Sequence, residues 1–232
     1  MKLSQIDTAT YYEVTIPSSG KKVKFRPFVV KEERALLLAQ ESEETSTLLS
    51  TLDSVVRSCM NNYSGDLTTF DIEYLFVQIR SKSVGESVEV DATCKSCEKQ
   101  TAIKIDISKV EVIRKDTHSK NIKLSDSLAL TMRYPSMQDL SDITEIKDAT
   151  AQRLKVCASS IESVYFGDTV YHTKDGDTQE VIAFLDNRTD DEFAKIIEFI
   201  ETIPTIELKT EWTCPHCGFE NKNAINSIAG FF

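Results

Sequence analysis

Two Cys-x-x-Cys pairs, Cys94-Lys95-Ser96-Cys97 and Cys214-Pro215-His216-Cys217, most constrain how this 232-residue chain can fold. Zn²⁺ prefers four tetrahedral ligands, with thiolate among its best, and one such pair supplies only two. Two intervening residues let both sulfurs reach one ion while the backbone makes a tight turn. A self-contained zinc ribbon carries its two pairs about 15–20 residues apart. Here Cys97 and Cys214 are 117 positions apart. A shared site of four cysteines therefore requires the fold to bring two remote segments together. The alternatives are two metal-free thiol pairs, or a thioredoxin-like redox motif, which opens a helix after a strand.

The flanking residues oppose the redox form. Val88 and Val90 alternate with Glu89 and Asp91 on the way into Cys94, and Ala102–Ile105 reads as the return strand. Ile206, Leu208 and Thr210 alternate toward Trp212 and Cys214, and Asn221–Ile225 returns. Each pair is predicted to sit at a β-hairpin tip. Pro215 presets φ after the first ligand of the second pair, and Gly218 permits positive φ after the last. The reading is one structural zinc ion per chain, bound by Cys94, Cys97, Cys214 and Cys217. Such a site is full, without the open position that catalytic zinc needs for water. His216 is expected to point outward. Cys59 and Cys157 fall on the apolar sides of predicted helices and read as core.

The compartment matters to this reading, because reduced thiols bind metal and oxidised ones pair. Met1-Lys2-Leu3 runs into Ser4, Gln5 and Asp7 rather than into an apolar stretch, so no secretory signal is expected. Nor does any stretch approach the roughly 20 apolar residues that span a bilayer. The expectation is a reducing cytosol. The formal net charge of −10 opposes phosphate backbones and anionic membranes, and favours a partner with basic or apolar surface. With 41% hydrophobic and 28% charged residues, the composition is ordinary for a folded globular protein and argues against wholesale disorder.

The rest of the chain alternates helical and strand patterns. A hairpin is predicted over 11–28, turning at Pro17-Ser18-Ser19-Gly20. Its basic run Lys21, Lys22, Lys24 and Arg26 reads as water-facing. Helices follow at 30–42, 45–62 and 69–81, the first with Glu32 and Glu33 favourably placed against the helix dipole. Short strands are predicted at 110–113, 121–124 and 128–134, one helix at 143–160, and a short hairpin at 164–171. A helix at 178–186 precedes another that starts at the capping-box pattern Thr189-Asp190-Asp191-Glu192. The fold class is α+β: helical segments plus β-hairpins, with a split zinc-ribbon-like site joining about 88–105 to about 206–225. Four regions are read, at 1–86, 87–135, 136–204 and 205–232, packed as one or two compact domains.

Catalytic patterns are missing. The three histidines, His118, His172 and His216, have no evident nucleophile or carboxylate partner in the sequence. No glycine-rich phosphate loop, nucleophile elbow or H-E-x-x-H is present. The expectation is a protein that binds rather than an enzyme.

Several longer motifs carry a resemblance. Ser19-Gly20-Lys21-Lys22-Val23-Lys24-Phe25-Arg26-Pro27-Phe28-Val29-Val30-Lys31-Glu32-Glu33 joins a hairpin to a helix. Phe70-Asp71-Ile72-Glu73-Tyr74-Leu75-Phe76 and Arg80-Ser81-Lys82-Ser83-Val84-Gly85-Glu86 follow, and then the two cysteine pairs. This set and order resembles the small baseplate hub proteins and hub assembly factors of T-even-type contractile-tailed bacteriophages. The resemblance implies a role in virion morphogenesis through contact with other hub or tail proteins. It further implies residence in the host bacterial cytoplasm during assembly or in the tail baseplate, and no small-molecule substrate. Phe28, Phe231 and Phe232 are candidates for partner contact. A zinc-ribbon nucleic-acid-binding protein, such as a phage transcription factor, is the alternative. Lys95, Lys99, Lys104, Lys209 and Lys222 flank the knuckles, but Glu98, Glu207, Glu211 and Glu220 interleave with them.

Overall fold

A computed structural model describes residues 10–42, 44–175 and 178–226. In chain order its elements begin with β1 (Tyr12–Thr15), β2 (Lys22–Phe25), α1 (Val30–Glu41), α2 (Thr45–Cys59) and α3 (Thr69–Ser83). Then come β3 (Ser87–Thr93), β4 (Gln100–Asp106), β5 (Glu111–Ile113), β6 (Asn121–Lys123), β7 (Leu128–Met132), α4 (Met137–Thr144) and α5 (Ala149–Ser159). The last are β8 (Ile161–Phe166), β9 (Thr169–His172), α6 (Thr178–Asp186), α7 (Asp190–Glu201), β10 (Thr205–Thr213) and β11 (Glu220–Ile225). The fold is mixed α+β with several small antiparallel sheets, as the alternation predicts.

The chain forms two units. Of the described residues, the first takes those up to Glu41, then Thr51–Ile113, then those from Thr205 on; the second takes those within Ser42–Ser50 and Arg114–Pro204. In the first unit α3 is the central helix. Phe70, Ile72, Leu75, Phe76, Val77 and Ile79 are all buried, so its apolar residues go round the helix instead of marking one face. It lies against the 3-10 turn Ile107–Lys109, β5 and β10. β11, β10 and β5 make one sheet in that order, and β3 and β4 make a separate hairpin.

Two buried carboxylates explain residues of the hairpin-to-helix motifs. Asp71 is fully buried. It completes a capping box with Thr68, the N-cap of α3. It also accepts the Ser18 N–H at 2.8 Å, which pins the β1–β2 turn to that helix start. Glu32, expected only to serve the α1 dipole, is 2% exposed. It accepts from Arg26 Nη2 at 2.9 Å and from the Val29 N–H at 3.0 Å. Arg26 is therefore not a water-facing member of the basic run. Burial alone would raise the Glu32 carboxyl. The Arg26 hydrogen bond, the Val29 N–H and the charges of Arg26 and Lys31 outweigh it and hold the group at about 2.

This depressed value makes Glu32 stabilising above pH 4.5, and that contribution is lost as pH falls toward 2. Glu32→Gln is expected to cost about 3 kcal/mol at pH 7, because it leaves the Arg26 charge without its buried counter-charge. Urea titrations of wild type and variant should show this gap closing as pH drops from 4.5 toward 2. A gap that stays constant with pH contradicts the assignment.

The second unit holds a four-stranded antiparallel sheet in the order β6-β7-β8-β9. Its core joins Leu128, Leu130 and Met132 from the sheet to Cys157 of α5, Leu185 of α6, and Ile196 and Phe199 of α7. The helix predicted over 143–160 is two helices. Asp148 caps α5 by accepting the Ala151 N–H, which breaks the run after Glu145. α4 starts earlier than predicted, at a Ser136–Asp139 capping box. β8 begins at Ile161, directly after Ser160, the C-cap of α5. Among the described residues no helix is long and apolar enough to cross a membrane.

Candidate metal centre

β3 leads into Cys94, and β4 takes the chain away after Cys97; β10 and β11 frame the second pair in the same manner. The two knuckles have identical backbone bonding. Cys94 N–H donates to the Lys99 carbonyl at 3.0 Å, and Glu98 N–H to the Cys94 carbonyl at 2.9 Å. Cys214 N–H donates to Phe219 and Gly218 N–H to Cys214, both at 2.9 Å. Gly218 has φ +73°, as expected from its place after the last ligand. Its counterpart Glu98 has φ +58° without being glycine. That conformation costs about 1 kcal/mol, and the knuckle retains it.

All four cysteines lie in the first unit. Their sulfurs lie within 4.8 Å of one another. Cys94 to Cys217 and Cys97 to Cys214 are both 3.7 Å. A tetrahedral ion bonded to sulfur at about 2.3 Å requires sulfur–sulfur edges of about 3.8 Å, so the donor set fits. Cys94 and Cys214 are buried, Cys97 is half-buried and Cys217 is exposed. His216, inside the second pair, is exposed.

Burial pushes the Cys94 thiol up. The backbone N–H groups of Cys97 and Ser96, with the Asn221 amide, outweigh it and bring the thiol down to about 6. The Lys99 N–H lowers Cys97, but burial and the neighbouring cysteine thiols leave it at about 11. Four thiolates at this spacing repel one another unless a cation sits among them, so metal uptake must release protons.

The other predicted positions fall elsewhere. Cys59 and Cys157 are buried in the cores of their units, as expected. Burial raises both thiols, Cys157 to about 11. Phe28 is half-buried and stacks on Phe76, with ring centroids 6.2 Å apart. Phe231 and Phe232 lie outside the described residues. Two histidines do have partners that sequence did not reveal. His118 bonds Thr202 Oγ1 at 2.9 Å and Tyr134 Oη at 3.0 Å, and it stacks on Phe199. His172 Nδ1 meets Ser163 Oγ at 2.8 Å across β8 and β9. Ser163 is 3% exposed while His172 is exposed, so the contact joins a buried hydroxyl to a ring at the surface.

Sequence reading also missed Asn221. It is fully buried, and its amide reaches Cys94 Sγ and the Lys95 N–H in the opposite knuckle. Its only sequence signal is an asparagine within a predicted strand, where that residue type is disfavoured.

A family model described as T4 bacteriophage base plate protein matches residues 9–232. No curated protein and no solved structure matches.

Proposed function

Because this chain belongs to the T4 bacteriophage base plate protein family, we propose that it serves the baseplate hub, as a hub component or hub assembly factor. It acts by binding other hub or tail proteins, without turning over a substrate. The family match over nearly the whole chain carries this reading. The order of motifs from Arg26 through the second cysteine pair supports the hub in particular.

The cysteine cluster has a structural part in this proposal. One zinc ion bound by Cys94, Cys97, Cys214 and Cys217 clamps the β3–β4 hairpin to the β10–β11 hairpin. With four protein thiolates, the ion has no open position for a reacting water, and its contribution is to the folded state. Zinc fits the all-thiolate set, the tetrahedral edge lengths and a reducing compartment. The acidic balance of the chain favours partners with basic or apolar surface.

Affinity capture of the tagged chain from phage-infected cells tests the binding role. Other hub or tail proteins are expected in the eluate. Recovery of nucleic acid or RNA polymerase without tail proteins rules against it and favours the transcription alternative. Mass spectrometry of purified virions then decides between a retained component and a transient assembly factor.

A further inference from the structure

The two cysteine pairs come from separate hairpins, and a metal ion is a poor guide for aligning them before it binds. Asn221 supplies a guide. It stands on β11, and its carboxamide makes three hydrogen bonds at once. Oδ1 accepts the Lys95 N–H at 3.0 Å. Nδ2 donates to the Phe219 carbonyl at 3.2 Å and to Cys94 Sγ at 3.5 Å. One side chain thus touches the backbone of both knuckles and a ligand sulfur, across 127 residues of sequence.

The direction of the amide is fixed by its surroundings. A backbone N–H only donates and a backbone carbonyl only accepts. Flipping the amide would set donor against donor at Lys95 and acceptor against acceptor at Phe219. Its N–H end therefore faces the Cys94 sulfur. Neither end can exchange its partners for water, because the residue is fully buried.

A zinc ion with four thiolates carries two net negative charges, and here two of the sulfurs are buried. Such a centre depends on donors around the sulfurs to disperse that charge, much as other ligands depend on their outer hydrogen bonds. The backbone bonds of each knuckle act within that knuckle. The Asn221 amide crosses from the second knuckle to the first.

We propose that Asn221 is the positioning residue of the split site: its buried amide aligns the two half-sites and stabilises the metal-bound Cys94 thiolate by an N–H···S hydrogen bond. This rests on the tetrathiolate reading above, and the test separates the two. Full-length chain labelled with ¹⁵N and loaded with ¹¹³Cd should show scalar coupling between the metal and an Asn221 side-chain amide proton, transmitted through the Cys94 sulfur. Competition with a chromophoric chelator at pH 8 should show Asn221→Asp binding zinc roughly 10–100-fold more weakly than wild type. Asp keeps the acceptor for Lys95 but turns an oxygen toward the sulfur. Metal uptake by the wild type with no such coupling overturns the Asn221 assignment and leaves the site standing. So does uptake with unchanged zinc affinity in Asn221→Asp. Failure of the wild type to take up either metal overturns both.

Discussion

Protein kept reduced and never exposed to chelator is expected to contain about one zinc per chain, and stripping it should undo the first unit before the second. On the zinc proposal the ion closes a loop from Cys97 to Cys214. In the chain-entropy model, a cross-link of that span contributes roughly 4–5 kcal/mol, and a metal clip acts in the same way. For a chain of this size that corresponds to a fall in melting temperature of roughly 8–20 °C. Chelation and Cys94→Ser should produce similar losses, because three thiolates beside one hydroxyl no longer enclose the ion. Cys59→Ala and Cys157→Ala serve as controls. Each removes one core sulfur, at a cost of roughly 1–2 kcal/mol, and should leave the zinc content intact. Calorimetry with elemental analysis checks all of these variants and treatments. Unchanged melting of Cys94→Ser with zinc still bound contradicts a site shared between the hairpins.

Loss of the protein should have a larger effect on the phage that encodes it. A null mutant is expected to accumulate heads and major tail proteins yet yield no infectious particles, because the centre of the baseplate is not completed. Plaque assays and electron microscopy of lysates give the readout. Supplying the chain in trans should restore tails. The Cys157→Ala form should complement, while Cys94→Ser should not, which ties the phenotype to the cysteine site and not to expression alone. Normal tails in the null mutant contradict the morphogenesis proposal.

The cysteine site is legible in the sequence because each half leaves a strong local trace. A Cys-x-x-Cys at a strand end offers two ligands to an ion that wants four, so each pair implies another. The hairpins are equally legible, since Val88, Val90 and Ile105, like Ile206 and Leu208, alternate cleanly with polar residues. The break between α4 and α5 is not, because Ile143, Ile146 and Leu154 keep helical spacing across it. The Asp148 cap decides the matter, and an isolated aspartate says little in sequence. Sequence assigns Glu32 to the helix dipole because that effect is local. Its stronger partner, Arg26, lies outside the helix, and only the tertiary turn brings the two together. Asn221 is illegible for the same reason on a larger scale. Its partners, Cys94 and Lys95, are in another hairpin, and a strand pattern says only that a buried polar residue needs partners.

The separation of the two cysteine pairs also sets an order of events during synthesis. A ribosome adds about 5–20 residues per second, so roughly 6–23 s pass between the emergence of Cys97 and of Cys214. In that interval the β3–β4 hairpin carries two thiols with no counterpart, while the whole of Arg114–Pro204 is translated. The unit that starts first therefore finishes last, and a nascent chain stopped anywhere in that stretch lacks half of the cysteine cluster. Translation through the second pair becomes a condition for the first unit to close, and a truncated copy that reached an assembling tail would arrive without it.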